Sequence, residues 1–509
     1  MQLLLNFIAF FGYTFEPHPI IYENPTPKSI DFQGYLWYYI TRNKPSRRKP
    51  SMKFIGRKDE LSRLSEAYFS KEYEGILIYG RRRIGKSELI KQSLKEVSCP
   101  FIYYECTKVS EKSNTEAFSE LIGETFDIPT PSFKSFGAAL EYLFQRSQKE
   151  KLIVVIDEYP YLREKIAECD SVFQKVIDAY AMNCTMKLIL CGSYVEIMEK
   201  LMNEDNPLHK RIGLNINLKQ MNYYESALFY PNYSNEDKVK IYSVFGGIPY
   251  YNRYVDDSKT VKANIITLVA SQGARFEKDP EIALEAEISK MANANEVFLS
   301  IARGNAKFSD ILNSSKVSSS PSLVDTLKKL ISMDVVKKEF PINNEAEKKS
   351  YYTISDRLSK FYYKYIFPKA SYFSVMPAEA FYEEFIEDDF ETQFVPKEFE
   401  EISKQYLIRK NKEGLINPAL YKVGKYYYDD AKNKRNGEFD VVTLDKYGYT
   451  FYEVKFTKSP IDDAVVNEEK TQLSKAGISY DRLGFISKSG FRIDDNENYI
   501  LISIEDMYK

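Results

Sequence analysis

Histidine is almost missing from this chain: His18 and His209 are the only two in 509 residues. A catalytic histidine or a histidine-rich metal site is therefore a poor starting hypothesis. Cysteine is scarce and odd in number, and Cys99, Cys106, Cys169, Cys184 and Cys191 fall at no metal-ligand spacing. That argues against a disulfide framework and fits a reducing cytoplasm. An excess of one charge is also lacking, because 71 Lys and Arg nearly balance 73 Asp and Glu. No global basic field draws in nucleic acid, so any such contact must be local. Long hydrophobic runs are absent too. The apolar start, residues 1–13, is too short for a membrane span and has no basic flank, so no membrane association is expected. With the Pro-rich stretches that follow, residues 1–51 read as a poorly ordered extension. Tyrosine is the surplus, at 41 residues, and most of it should be core or half-buried surface.

What is present is organised around Gly80-Arg81-Arg82-Arg83-Ile84-Gly85-Lys86-Ser87. Two glycines five positions apart, then Lys and Ser, form the phosphate-binding loop pattern. An apolar run, Ile76 to Tyr79, precedes it as one buried strand; Glu88 to Leu94 follows with helical spacing. Strand, glycine loop and helix are the context the pattern requires. Backbone N–H groups of the loop and the helix N-terminus, with Glu88 in its first turn, would surround the phosphates of ATP. Lys86 would reach the β and γ phosphates, and the Ser87 hydroxyl would hold Mg2+.

A second strand, Lys151 to Ile156, is apolar without alternation and ends in Asp157-Glu158. Such a strand is buried on both faces, as in a parallel sheet, and ligands of such sheets sit beyond the strand C-termini. Asp157 would then hold Mg2+ through water and Glu158 would polarise the attacking water. A third strand, Lys187 to Gly192, leads to Ser193, which is placed either to contact the γ-phosphate or to serve as a plain turn residue.

These motifs, with Phe54-Ile55-Gly56-Arg57 before them and Gly246-Gly247-Ile248-Pro249-Tyr250 after, resemble in kind and order the prokaryotic AAA-like ATPases often called the archaeal ATPase family. The resemblance implies an ATPase of the signal-transducing type. It points to Arg211 as the arginine near the γ-phosphate; acting in trans, that residue would need a dimer or ring. The expected architecture is α/β. A P-loop parallel-sheet ATPase core spans 52–215 and a helical lid 216–285. A winged-helix domain of three helices and two strands spans 286–370, and a C-terminal α/β nuclease-like domain 371–509. Lys328, Lys329, Lys337 and Lys338 give the winged helix a modest basic set for DNA.

In the tail, residues 437–444 and 449–456 flank a four-residue loop with Gly448, a hairpin signal. Pairing Leu444 with Tyr449 sets Asp440 opposite Glu453 and Glu438 opposite Lys455. Facing carboxylates repel; a divalent cation between them would relieve the repulsion, with Lys455 beside it to orient a water. The plain alternative is a cross-strand ion network. The constellation resembles the PD-(D/E)XK restriction-endonuclease-like superfamily, which implies Asp440, Glu453 and Lys455 as its core motif and Glu400 as its helix glutamate. Gln472 and Lys475 follow on the next helix.

Overall fold

Three apolar runs that never alternate become three strands buried on both faces. The computed structural model describes residues 54–285, 291–430, 435–494 and 498–509, so the N-terminal extension lies outside the described residues. β1 (Glu74–Tyr79), β2 (Phe101–Glu105), β3 (Ile153–Asp157), β4 (Lys187–Gly192) and β5 (Leu214–Asn217) form one sheet in the order β2-β3-β4-β1-β5. Every pairing in it is parallel. Ile76, Ile78, Ile153, Val155 and Ile189 point into one hydrophobic core, and Leu77, Val154, Ile156, Leu188 and Leu190 into another. This explains why each strand reads as an unbroken apolar word.

Helices Glu111–Phe126 and Phe136–Ser147 start on Ser110 and Ser135, whose side chains accept the N–H groups of Ser113 and Ala138. Beyond the sheet, helix Asn235–Phe245 ends at Gly246. Gly247 then approaches Met221 so closely that a Cβ would collide with its backbone. Helices Met291–Ala302, Phe308–Ser314 and Ser320–Ser332 follow, with the antiparallel pair β6 (Val336–Glu339) and β7 (Tyr351–Ile354).

The tail is a mixed sheet in the order β14-β12-β10-β9-β8. Its strands are β8 (Lys422–Asp430), β9 (Arg435–Leu444), β10 (Tyr449–Lys455), β12 (Arg482–Ser487) and β14 (Ile500–Ser503); β11 (Ile461–Asp462) and β13 (Phe491–Arg492) form a small separate ladder. Val441, Tyr452 and Ile486 face the helix Val395–Lys412 through Phe399 and Ile402. Val442, Phe451 and Phe485 face the helix Asp463–Ala476 through Val466 and Leu473. The tail is thus a sheet between two helices.

β8 was not expected from sequence. The loop after β6 docks on this edge strand: Ile342 N donates to Lys425 O at 2.6 Å, and Asn343 exchanges hydrogen bonds with Tyr427 at 2.8 and 3.2 Å. An exposed strand edge is covered in this way. No helix among the described residues is long and apolar enough to cross a membrane.

Candidate functional site

The C-terminal edge of the parallel sheet carries the first site. Gly80 leaves β1 at φ 152° and Gly85 sits at φ 95°; a side chain at Gly80 would strike the Leu218 carbonyl. Only a glycine tolerates both constraints there. Lys86 is buried, and its ammonium donates to the carbonyls of Gly80 (2.9 Å) and Arg81 (3.2 Å) across the loop mouth. Ser87 Oγ donates to Asp157 Oδ2 at 2.7 Å, Tyr103 Oη donates to the same oxygen, and Glu158 N donates to Oδ1 at 2.9 Å. Burial, then the Asp157 carboxylate, push the Tyr103 hydroxyl far up, so it stays protonated and donating. Glu158 sits in the left-handed region at φ 53° and accepts from Ser193 Oγ at 3.0 and 3.1 Å. A non-glycine residue holds that conformation only when its surroundings impose it.

The donor set suits a nucleotide with Mg2+. A hydroxyl and a carboxylate in contact are hard oxygen ligands for Mg2+, and the glycine loop leaves its amides open to an anion. A cavity of about 60 Å3 lies beside the loop arginines, lined by Arg82, Ser193, Tyr251, Ile282 and Met333 among others.

Each loop arginine has its own partner. Arg81 pairs with the buried Asp356 at 3.0 Å, Arg83 pairs with Asp279 at the start of helix Asp279–Glu285, and Arg82 lies against the hydroxyls of Tyr161 and Tyr194. Ile84 has no exposed surface and anchors the loop in the core. Arg57, at φ 61°, reaches the loop from behind, donating to Ile84 O at 3.5 Å and to Lys219 O at 2.6 Å. Arg211 is not among these residues. It lies at the start of β1, where a Cβ on Gly75 would meet its carbonyl, and is clamped by Asp178 with two contacts of 2.7 Å. β1 separates it from the loop, because β5 runs parallel to β1 and Arg211 precedes β5.

The second site is a cleft of about 1110 Å3 at the end of the tail sheet, lined by Glu400, Asp440, Glu453, Lys455, Glu469 and Gln472 among others. The hairpin register is as expected from Tyr449↔Leu444 to Tyr452↔Val441, and there the ladder stops. One pair short of the expected Asp440–Glu453 contact, β9 carries a bulge: Gly424 pairs with Val442 but Tyr426 with Phe439, one extra residue on β9. The bulge turns Asp440 to the face of helix Val395–Lys412, as bulges re-aim side chains. There Lys425 holds one oxygen of Asp440 and Lys397 lies 3.6 Å from the other. Glu438 pairs with Lys425 at 3.2 Å, not with Lys455. Glu453 faces the other helix and pairs with Lys455 at 2.5 Å. Asp440 and Glu453 therefore face different helices here, each with an ammonium group against it. Among the described residues no three Asp, Glu, His or Cys side chains converge to hold a metal.

Burial raises Glu400 to about 7, with Asp440 adding to it, and burial raises Glu469 to about 7, with Glu453 adding to it. Burial also opposes the charge on Asp440, but Lys425 outweighs it and holds the carboxyl below its usual value. Sequence reasoning missed Tyr103, Asp279, Asp356, Lys425 and Glu469. Only the position of Tyr103, two residues before the end of a strand beside β3, was a local signal.

A parallel sheet with a glycine loop after β1 and an Asp-Glu pair after β3 defines a P-loop ATPase core. Residues 54–255 match the family described as an ATPase domain predominantly from Archaea. Residues 362–472 match a family of archaeal and bacterial proteins of unknown function. An uncharacterized protein of Methanocaldococcus jannaschii is 29% identical over 416 residues, which cover 79% of this chain and 87% of that one. Two solved structures are more distant. A Walker-type ATPase of Pyrococcus abyssi is 19% identical, covering 61% of this chain and 96% of its own, with a TM-score of 0.46. The ORC2 protein of Aeropyrum pernix, solved as ADPNP and ADP complexes, is 14% identical, covering 62% and 94%, with a TM-score of 0.42.

Proposed function

We propose that the chain is an ATP-hydrolysing switch whose nucleotide state sets the shape of the tail cleft. The observation that carries this reading is a chain of buried ion pairs between the two sites. Arg81 of the phosphate loop meets Asp356. The next residue, Arg357, lies 2.8 Å from Glu398, which Lys360 also holds. Glu398 is buried on helix Val395–Lys412, two residues before Glu400 and one after Lys397, both in the cleft. The loop's other grip is Arg83 on Asp279. A nucleotide that shifts the loop would therefore pull on contacts that lead to the cleft.

At the loop, Lys86 and the amides bind the phosphates, and Ser87 and Asp157 would hold Mg2+. The ion would neutralise charge on the phosphates. Glu158, steadied by Ser193, takes the proton of the attacking water. At the cleft, nucleic acid is the proposed partner, met by Lys397, Lys455, Lys458 and Lys488. The winged-helix-like segment adds a second contact through its exposed lysines. Five free cysteines accord with a cytoplasmic setting.

A second reading, a non-cleaving regulator, has its own support. Asp440 is neutralised by Lys425 and Lys397, and among the described residues no three carboxylates converge. In this reading the cleft holds its partner without cutting it.

The coupling is tested by hydrogen exchange over residues 395–404, with and without ATP and Mg2+. Wild type should change its exchange there on binding ATP, and Asp356→Asn should bind ATP without that change. ATP binding that leaves the cleft helix untouched in wild type would defeat the proposal. A Lys86→Ala chain that still binds ATP at wild-type affinity would remove the site itself.

A further inference from the structure

The three consecutive loop arginines differ in what holds them. Arg81 and Arg83 are tied to carboxylates that are almost fully buried, Asp356 and Asp279. Breaking either pair leaves a charge stranded out of water. Arg82 has no carboxylate partner in the ion pairs of the described residues. Its guanidinium meets two neutral hydroxyls, Tyr161 Oη at 3.4 Å and Tyr194 Oη at 3.3 Å, and lies 5.6 Å from the Tyr194 ring centre. Those bonds are long and cheap to exchange.

Its position is equally specific. Tyr194 is the residue after Ser193, and Tyr161 N donates to Glu158 O at 2.9 Å in the turn leaving β3. Arg82 thus crosses from the phosphate loop to the ends of β3 and β4, where Glu158 and Ser193 are hydrogen-bonded to each other. It also lines the small cavity beside the loop together with Ser193. Lys86 sits at the inner side of the loop, held by the Gly80 and Arg81 carbonyls. A triphosphate held by the loop would bring its outermost phosphate toward the Glu158 side, where the guanidinium lies.

We infer that Arg82 is the arginine that stabilises the terminal phosphate during hydrolysis, acting from within the same chain, with Tyr161 and Tyr194 as its resting place when no nucleotide is bound. This rests on the ATPase reading above. In the step it serves, the water oxygen bonds to the γ phosphorus and the water's proton passes to Glu158. The bond from the γ phosphorus to the bridging oxygen breaks, and its electrons leave with ADP. Arg82 donates N–H bonds to the γ-phosphoryl oxygens, and these strengthen as the transferring group separates from ADP.

The test compares Arg82→Ala, Arg82→Lys and the double variant Tyr161→Phe/Tyr194→Phe with wild type in steady-state hydrolysis and ATP calorimetry. Arg82→Ala should lower kcat by about 10²–10³-fold. ATP affinity should change by no more than about threefold, because the interaction belongs to the transition state. Aluminium fluoride should tighten ADP binding in wild type and fail to do so in Arg82→Ala, with Arg82→Lys recovering part of the effect. The tyrosine double variant should hydrolyse ATP at least as fast as wild type. An Arg82→Ala protein with wild-type kcat would overturn the inference while the ATPase reading stands. So would a tyrosine double variant as slow as Arg82→Ala. A wild-type protein that neither binds nor hydrolyses ATP would bring down both.

Discussion

The two sites use the same residue types, Asp, Glu and Lys, and hold them in opposite ways. At the phosphate loop, Asp157 is gripped by neutral donors, a serine, a tyrosine and a backbone amide, and Glu158 by another serine. Its full negative charge remains free to meet a cation. In the tail cleft, Asp440, Glu438 and Glu453 each have an ammonium group against them. Among the described residues the loop site leaves its carboxylates without an ammonium partner, whereas the cleft pairs Asp440, Glu438 and Glu453 internally. A list of carboxylates near a sheet edge therefore says little about metal binding until the partners of each are known.

The sharpest way to break this contrast is to remove the ammonium that closes the cleft. Lys425→Ala leaves Asp440, Glu438 and Glu400 near one vacated position. Asp440 is half-buried and would keep only Lys397, at 3.6 Å, so a divalent cation that restores the balance should gain on the order of 10–100-fold in affinity. Mn2+ calorimetry at pH 8 checks this, with the nucleotide site blocked by Asp157→Ala in both proteins. Unchanged Mn2+ binding would mean that the bulge at Asp440, and not the lysine, keeps the cleft from acting as a metal site.

A smaller effect sharpens the other side. Tyr103 does not touch the nucleotide's place but orients the carboxylate that would hold Mg2+. Outer partners of metal ligands are worth about 10–100-fold in metal affinity. Tyr103→Phe should lie at the low end, near tenfold, because Ser87 and the Glu158 amide remain. Hydrolysis rates titrated with Mg2+ at saturating ATP read this directly: the Mg2+ midpoint should rise while the plateau stays. A falling plateau with an unmoved midpoint would place Tyr103 in another role.

Much of this was legible in the chain itself, for definite reasons. Continuous apolar runs and a glycine octet are local, and they located β1, β3, β4 and the loop. Turn chemistry around Gly448 was enough to set the β9–β10 register through four pairs. What escaped was non-local. Arg81 and Asp356 are 275 residues apart, and no periodicity joins them. β8 is tyrosine-rich and mostly half-buried, so it shows no clean alternation, and without it neither Lys425 nor the bulge at Asp440 is foreseeable. Arg211 was placed by resemblance alone, and the strand that follows it carries it to the far end of the sheet.

The smallest expected effect concerns acidity. Glu469 sits on helix Asp463–Ala476 beside Glu453 and Lys455 and is 5% exposed. Burial, then Glu453, lift its folded-state value to about 7, against 4.5 for an ordinary glutamate. The folded protein thus keeps this proton up to about pH 7, while the unfolded chain releases it from about pH 4.5. Between those values the native state binds more protons than the unfolded state, so stability falls as pH rises, and the loss is complete above pH 7. Glutamine carries no proton to lose. Glu469→Gln should therefore match wild type near pH 4.5 and exceed it at pH 8 by on the order of 1–3 kcal/mol. Urea unfolding across pH 4.5–8 measures the gap. No pH-dependent gap would show that Lys455 compensates Glu469 as well as Glu453, leaving no unpaired acid on that face of the sheet.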